Sequence, residues 1–319
     1  MQFDAASLID AHPPRWHHPN KQAIYDLVLA SGHAFGGQIA YARWPALQLP
    51  STLTVQNEHR ISQGVFAYLP PAKPDDVDWH VNFADPSLFV AYASPLFAQD
   101  ELQVAEHPIL GSLREALVAM QKRAETVDAR HEPTPITISG VQRFCAVDTR
   151  PNPGAGRPRG MYGNRFAHES VRNVIAATTL ISPPTITNLL AMAAPACGHG
   201  EYSHDEIKYI VSTAYTGFAA TRRESAEFAG EKCRTVVNTG FWGCGAFGGN
   251  RTLMTMLQAL AADLADVQLV FHAFDAAGVD LAGDAWQRYG RMRTEISAVE
   301  EMLEALVQEE FQWGESDGN

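Results

Sequence analysis

Two stretches of the chain combine residue types that could do chemistry, and the first is a pair of adjacent carboxyl groups. Gln99-Asp100-Glu101 lies in a segment with apolar neighbours, Leu96 and Leu102 among them. A carboxyl group in an apolar pocket has a raised pKa, so it stays protonated near neutral pH and can protonate a leaving group. Hydrolysis of a glycosidic bond needs such a donor. Taken alone, the triplet fits better as an acidic first helical turn, which the helix dipole stabilises.

The second stretch is a glycine-rich loop, VVNTGFWGCGAFGGN, at residues 236–250. It follows a predicted strand at 233–237 and precedes leucines at helical spacing, so it joins a strand to a helix. Backbone N–H groups and a helix N-terminus can together bind a phosphate at such a place. Glycine costs stability where it is not needed, so this density favours phosphate binding over a simple turn. The Trp242 and Phe247 rings either stack on a sugar or base or fill the core.

The loop also contains a literal Gly-x-Gly-x-x-Gly pattern at Gly243, Gly245 and Gly248, which is typical of dinucleotide-binding folds. Little sequence follows it to complete a doubly wound sheet, and bulky rings occupy a turn that normally uses small residues. A Walker loop is excluded because no Gly-Lys-Ser/Thr follows. A nicotinamide-dinucleotide oxidoreductase is therefore kept only as an alternative.

The composition narrows the class of protein. The net charge of −12 argues against a broad nucleic-acid surface. No apolar run of membrane-spanning length and no signal peptide are present, so we expect no membrane partner. The four cysteines show no paired spacing, which fits reduced thiols and a cytoplasmic location. Cys197, His199 and His204 lie close together but lack a second ligand cluster, so no metal site is predicted.

Periodicity predicts an α/β fold with a mixed sheet, because strands alternate with helices. Residues 1–20 are expected to be a loosely attached lead-in, and 171–181 is ambiguous with strand slightly favoured. The other predicted strands lie at 79–84, 134–140 and 267–274, and the other helices at 21–35, 96–105, 110–124 and 205–221, with an amphipathic helix near the C-terminus.

At TGFWGCGAFGGN (239–250) the sequence resembles the diphosphate loop of poly(ADP-ribose) glycohydrolases, a branch of the macrodomain fold. NFADPSLFVAYASPLFAQDEL (82–102) is similar in length to the catalytic segment of that family. The resemblance covers roughly 60–275 in the family's order and implies a divergent member with a macrodomain-like mixed sheet and an N-terminal helical extension. We therefore predict an extension at 1–55, a macrodomain-like catalytic core at 56–290, and an amphipathic helix and tail at 291–319.

The resemblance implies hydrolysis of the ribose–ribose glycosidic bond without a cofactor. Glu101 takes the role of general acid, which then helps to activate water, and Asp100 takes that of the neighbouring carboxylate that orders the ribose hydroxyls. The residues implied to contact an ADP-ribose-like ligand are Asp85, Phe89, Val90, Ala91, Gln99, Arg150, Gly243, Cys244, Gly245, Ala246, Phe247, Gly248 and Phe274.

The sequence departs from the family at both ends of the expected pocket. Phe89-Val90-Ala91 replaces three glycines, and Arg150 falls where the family has an adenine-stacking Tyr. Asn82 replaces an Asp of the catalytic segment. We therefore expect a mono-ADP-ribosyl adduct or another ribosylated nucleotide rather than long polymer as the substrate. A macrodomain that binds a nucleotide without catalysis is the main alternative.

The long loop at 148–160 adds Arg157 and Arg159, which with Arg150 either contact an extra phosphate or are simply solvated. Solvation is the favoured interpretation.

Overall fold

The computed structural model describes residues 1–122 and 124–318, and the strands in this part of the chain form one mixed eight-stranded sheet. The strands are β1 (Gln2–Asp4), β2 (Gln38–Arg43), β3 (Arg60–Gln63), β4 (Asp76–Phe83), β5 (Ile136–Val147), β6 (Thr178–Met192), β7 (Arg234–Gly240) and β8 (Gln268–Ala273). Their order is β1-β2-β5-β6-β4-β7-β8-β3. The pairs from β1 to β6 are antiparallel, and those from β6 to β3 are parallel.

Helices cover both faces of the sheet. They are α1 (Ala5–Ala11), α2 (Pro19–Ala30), α3 (Gln99–Glu106), α4 (Ile109–Ala119), α5 (Val171–Ala176), α6 (His204–Ala229), α7 (Arg251–Ala265), α8 (Ala276–Glu295) and α9 (Val299–Val307). Two short 3-10 turns, Pro153–Ala155 and Gly163–His168, lie in the connection between β5 and α5.

The end of β6 illustrates how one strand serves both layers. Leu190 and Met192 pack into the cluster that contains α6, α7 and α9, whereas Leu189 and Ala191 pack into the cluster that contains α1 and α4. Alternate residues of a strand point to opposite faces, so a strand buried on both faces reads as a continuous apolar run. Each fully buried leucine contributes roughly 1.5–3 kcal/mol. The predicted mixed sheet flanked by helices is confirmed.

The expectation of a loosely attached lead-in at residues 1–20 is wrong. This segment contains β1, which pairs with β2 in the main sheet, and α1, whose Ala5 and Leu8 are buried against the core. Asp4 caps α1 by accepting a hydrogen bond from Ser7 N at 2.9 Å. Polar residues in this stretch therefore mark a helix start rather than a lack of structure.

Residues 171–181 form both of the elements between which the sequence was ambiguous. Helix α5 comes first, and β6 begins at Thr178. Ser170 fixes the helix start, since its hydroxyl accepts a hydrogen bond from Asn173 N at 3.2 Å. The β-branched residues of this stretch favour a strand, but the Ser170 cap starts a helix before them.

The parallel strands β4 and β7 position the two stretches of chemical interest. They are neighbours in the sheet, with His80 opposite Asn238, and they end at Phe83 and Gly240. The segments that follow parallel strands leave the sheet at the same edge, where ligands bind in open α/β sheets. The segment from Ala84 and the glycine loop are thereby brought together.

Candidate active site

A cavity of about 160 Å³ lies between the segments that follow β4 and β7. It brings together nine of the residues predicted to form the site: Asp85, Ala91, Gln99, Asp100, Glu101, Gly243, Gly245, Ala246 and Phe247. The rest of its lining is Phe83, Ala84, Leu96, Ala98, Tyr162, Phe241, Trp242 and Asp317. The two stretches thus share one cavity, although more than 130 residues separate them in the sequence.

Gln99 fixes the start of α3 against the end of β4. Its side-chain Oε1 accepts a hydrogen bond from Phe83 N at 2.8 Å, and its Nε2 donates to Val81 O at 3.0 Å. Both ends of the amide are therefore engaged by backbone. This places the next two residues at the cavity wall.

The acid pair at the start of α3 is buried. Asp100 is 6% exposed and Glu101 is 3% exposed. Burial raises the pKa of both carboxyl groups, and the neighbouring Glu101 charge raises the pKa of Asp100 further. Lys21 and a hydrogen bond from Ala98 N at 2.9 Å favour the ionised form of Glu101 but do not outweigh burial. The pair therefore keeps a proton near neutral pH, as a proton donor requires.

Asn82 connects Asp100 to a buried polar network. Its Nδ2 donates to Asp100 Oδ1 at 3.0 Å and to Gln103 Oε1 at 2.9 Å, and Gln103 Nε2 donates to Tyr68 Oη at 2.9 Å. An aspartate at position 82 would add a third carboxyl group to this buried cluster, at a large desolvation cost. The Asn82 amide instead donates a hydrogen bond, which holds the Asp100 side chain in place and favours its ionised form.

Lys21 is a buried cation beside the cavity that the sequence does not predict. It is 0% exposed, and its Nζ donates to Tyr92 O at 2.7 Å and lies 3.5 Å from Ala91 O. Burial lowers the pKa of Lys21 to about 8, against the opposing charges of Glu101 and Asp100. Nothing in the local sequence distinguishes this lysine, because its burial depends on the packing of α2 beside the cavity segment.

The glycine loop contributes four residues to the cavity lining whose backbone N–H groups are unpaired within residues 1–122 and 124–318. None of the hydrogen bonds in the described part of the chain uses the N–H of Gly243, Gly245, Ala246 or Phe247. Gly243 has a φ of +74°, and a Cβ there would lie 2.5 Å from the Ala194 side chain, so glycine is required at this position. Unpaired N–H groups around a cavity form a binding site for an anion.

The aromatic residues of the loop have different roles. Trp242 is 1% exposed and donates through Nε1 to Met192 O at 2.9 Å, so its ring fills the core. Phe247 is half-buried and its ring remains available at the cavity. The Arg251 guanidinium lies 5.1 Å from the centre of the Phe241 ring, which brings a positive charge to the start of α7 beside the lining.

Six residues predicted to contact ligand lie outside the cavity lining: Phe89, Val90, Arg150, Cys244, Gly248 and Phe274. Arg150 is exposed and pairs with Asp148 at 2.7 Å, and Phe274 is 57% exposed. Arg157 is buried, and its Nη1 donates to Asp148 O at 2.5 Å, so it stabilises the loop at 148–160. The prediction that Arg157 is solvated is therefore wrong. Ligand contacts by the six residues stay a prediction.

Phe89, the first of the three residues that stand where the family has glycines, adopts a backbone conformation typical of glycine. Its φ is +54°, in the left-handed region, and its ring is fully buried beside Leu88 and Tyr92. The backbone conformation is the one that glycine adopts most readily, at a cost for any other residue. The ring offsets this cost by filling the core.

We expect Phe89→Ala to lower the free energy of unfolding by about 3–5 kcal/mol, because it removes a buried ring and leaves a cavity. Urea denaturation followed by fluorescence measures this. The matched control is Val90→Ala, since Val90 is 51% exposed and surface changes usually stay within about 0.5 kcal/mol. Equal effects of the two substitutions would contradict the position of the Phe89 ring.

Tyr162 and Asp317 line the cavity but were not predicted. Tyr162 lies in the connection between β5 and α5, and Asp317 lies after α9, so both are far from α3 in the sequence. Neither lies in a pattern that signals a site. Burial raises the pKa of Tyr162 to about 12, so its hydroxyl remains a hydrogen-bond donor. Long-range packing alone brings these residues to the acid pair.

Among residues 1–122 and 124–318, no group of three or more His, Cys, Asp and Glu side chains is arranged to hold a metal ion. Over the same residues, no helix is both long and apolar enough to cross a membrane.

Residues 131–280 match the family model of poly(ADP-ribose) glycohydrolase (PARG), macro domain fold. The predicted family resemblance is confirmed. The matched stretch is slightly less than half of the chain and contains the glycine loop, whereas the acid pair precedes it. Comparison with curated proteins gives no match.

Solved structures similar to the chain include PARG from Thermomonospora curvata, with 17% identity, a TM-score of 0.47, and coverage of 89% of this chain and 97% of that one. PARG from Deinococcus radiodurans in complex with ADP-ribose has 12% identity, a TM-score of 0.40, and coverage of 89% and 96%. An Oceanobacillus iheyensis macrodomain with MES bound has 9% identity, a TM-score of 0.39, and coverage of 81% and 100%.

Proposed function

We propose that the chain is a PARG-like glycosidase that hydrolyses a ribose glycosidic bond in ADP-ribose or a related ribosylated nucleotide. The observation that carries this proposal is one cavity lined by both the buried acid pair and the glycine loop. The first supplies a proton donor, and the second supplies N–H groups for a diphosphate. The family model supports the same activity.

In the proposed reaction, the proton that the acid pair shares is donated from Glu101 to the glycosidic oxygen as the bond between that oxygen and the anomeric carbon breaks. The ribose ring carries the developing positive charge, which the ionised carboxylate then stabilises. Glu101 next accepts a proton from the water whose oxygen bonds to the anomeric carbon. The products are ADP-ribose with a free anomeric hydroxyl and the protonated leaving group, and Glu101 returns to its initial state.

Asp100 has a different role in this proposal. Its carboxyl group is held by the Asn82 amide at 3.0 Å and belongs to the network that includes Gln103. A fixed side chain of this kind can accept hydrogen bonds from ribose hydroxyls and orient the sugar. Because Asp100 and Glu101 are adjacent, the charge of one carboxylate raises the pKa of the other, so the pair does not lose both protons near neutral pH.

We propose a mono-ADP-ribosyl adduct as the preferred substrate over long polymer. Phe89-Val90-Ala91 carries side chains where the family has three glycines, and Ala91 lies in the cavity lining. The cavity of about 160 Å³ is smaller than the roughly 300–1,000 Å³ of typical ligand pockets. Both features favour a short substrate that enters from one side.

A nucleotide-binding macrodomain without catalysis is favoured by one observation. Glu101 accepts a hydrogen bond from Ala98 N at 2.9 Å, a contact that caps α3 in its own right. The oxidoreductase alternative has no comparable support, because its glycine pattern lies within the stretch that matches the PARG model.

The proposal is tested by incubating the protein with a mono-ADP-ribosylated protein and with ADP-ribose polymer, and by measuring free ADP-ribose chromatographically. We expect release from both, faster from the adduct. Calorimetry with ADP-ribose and NAD completes the experiment. ADP-ribose binding without release from either substrate would favour the binding module, and no binding of ADP-ribose would overturn both.

We also propose a cytoplasmic location and neither nucleic-acid nor membrane partners. The four cysteines are free thiols in the described chain, three of them buried, which fits a reducing compartment. The net charge of −12 fits a partner that is not a nucleic acid.

A further inference from the structure

Residues 312–318, which we name the strap, cross over the glycine loop. Gly314 N donates to Gly248 O at 2.8 Å, and Asp317 N donates to Gly245 O at 3.4 Å. Asn250, which caps α7, donates through Nδ2 to Gln312 O at 2.9 Å. The strap is therefore bonded along the length of the loop that is proposed to hold a diphosphate.

Trp313 anchors the strap beside the loop. Its ring stacks on that of Tyr202, with centroids 4.3 Å apart and 14° between the planes, and its Nε1 donates to Glu206 Oε1 at 3.2 Å. A Cβ on Gly198 would overlap the ring. Residues 197–204 (CGHGEYSH), which include the Cys197, His199 and His204 cluster, thus pack around this tryptophan. This packing gives the segment a structural role outside the proposed reaction.

The strap also accounts for one glycine of the loop. A Cβ on Gly248 would lie 3.0 Å from Gly314 O and 3.3 Å from Ser316 N, so the close approach of the strap needs glycine there. Gly248 does not line the cavity. Part of the glycine density that favours phosphate binding therefore serves to pack the strap.

Asp317 brings a carboxylate into the cavity lining that also contains the glycine loop and the acid pair. Its Oδ2 lies 3.3 Å from the position that a Cβ on Gly245 would take. A diphosphate bound by the N–H groups of this loop would lie close to a like charge, which disfavours it. The Asp317 carboxylate is thus placed where it would repel the negatively charged diphosphate of the proposed ligand.

We infer that Asp317 is an autoinhibitory residue whose charge lowers the affinity of the pocket for a diphosphate. The inference rests on the proposed function. The strap contributes Asp317 to the wall of the cavity. Its contacts with the loop are a few backbone hydrogen bonds, and its residues from Gly314 to Gly318 are exposed.

The inference is tested by calorimetry with ADP-ribose on the full chain, comparing the wild type with Asp317→Asn and Asp317→Lys. We expect affinity to rise in that order, by about fivefold for the first step, the factor for one unit charge removed at roughly 4 Å in water. The gain should shrink at high salt because an exposed charge is screened. Glu315→Gln is the matched control, since it removes the same charge from the strap outside the cavity lining.

Unchanged or weaker binding by both Asp317 variants, with a wild type that binds ADP-ribose, would overturn this inference alone. A gain in Glu315→Gln equal to that in Asp317→Asn would also overturn it, because the effect would then follow net charge. No binding by the wild type or any variant would overturn the proposed function and this inference with it.

Discussion

Replacing Glu101 by glutamine is expected to lower turnover of a mono-ADP-ribosyl adduct about a thousandfold, within the roughly 10²–10⁴-fold range of general acid–base catalysis. Glutamine keeps the shape of the side chain but cannot donate the proton that the leaving oxygen needs. Its amide can still accept from Ala98 N, so α3 keeps this cap. ADP-ribose affinity should stay within about threefold, because binding depends mainly on the glycine loop. Single-turnover kinetics and calorimetry measure the two quantities.

Asp100→Asn is the matched control, since it removes a neighbouring carboxyl group of the same buried pair. We expect a loss of about tenfold, the size of one lost orienting hydrogen bond. Asp100 is fixed by Asn82, whereas Glu101 is positioned by a single backbone hydrogen bond. A larger loss of turnover in Asp100→Asn than in Glu101→Gln would make Asp100 the general acid and Glu101 the residue that orients the ribose. Equal rates for Glu101→Gln and the wild type would remove Glu101 from the mechanism.

The central fold could be predicted from the sequence because its signals are local. β7, the glycine loop, α7 and β8 follow one another, and each has its own pattern of apolar residues, glycines or leucines. The edges of the sheet were harder to predict. β1 has three residues and β3 has four, which are too short for a clear alternation, and both depend on pairing with distant strands.

About half of the candidate site could be predicted from the sequence, because its residues also belong to local patterns. Glu101 and Gly245 belong to contiguous motifs, so their types and spacing carry the signal. Tyr162 and Asp317 carry none, because packing brings each of them to the cavity from a remote part of the sequence. The same holds for Lys21, which packing brings against the backbone of Tyr92 beside the cavity. A buried lysine and a surface lysine look the same in one sequence, and only the fold distinguishes them.

The glycines of the loop are explained in part by packing, independently of any ligand. Gly243 is needed where the loop approaches Ala194, and Gly248 is needed where the strap approaches the loop. Neither requirement involves a ligand. The stronger argument for an anion site is therefore the set of unpaired N–H groups at the cavity, which the sequence alone does not reveal.

Lys21→Met is expected to lower kcat/KM at pH 7 about tenfold and to move the pH profile. Lys21 favours the ionised forms of Glu101 and Asp100, whose pKa values burial has already raised. Removing this cation raises both pKa values further. The pair must hold one proton to act, so both the acid limb and the alkaline limb of the profile should move to higher pH, by about one unit for a tenfold effect.

Lys21→Arg separates the charge of this residue from its hydrogen bonds. Arginine keeps the positive charge, so both limbs should stay in place, although the larger guanidinium can reduce the rate through misfit in a closely packed site. Loss of the hydrogen bonds to Tyr92 O and Ala91 O alone would lower the rate of Lys21→Met without moving either limb. That result, measured as kcat/KM from pH 5 to 10, would make Lys21 a purely structural residue. A shift in Lys21→Met that is absent in Lys21→Arg would instead mean that the buried ammonium on α2 sets the protonation of the acid pair on α3.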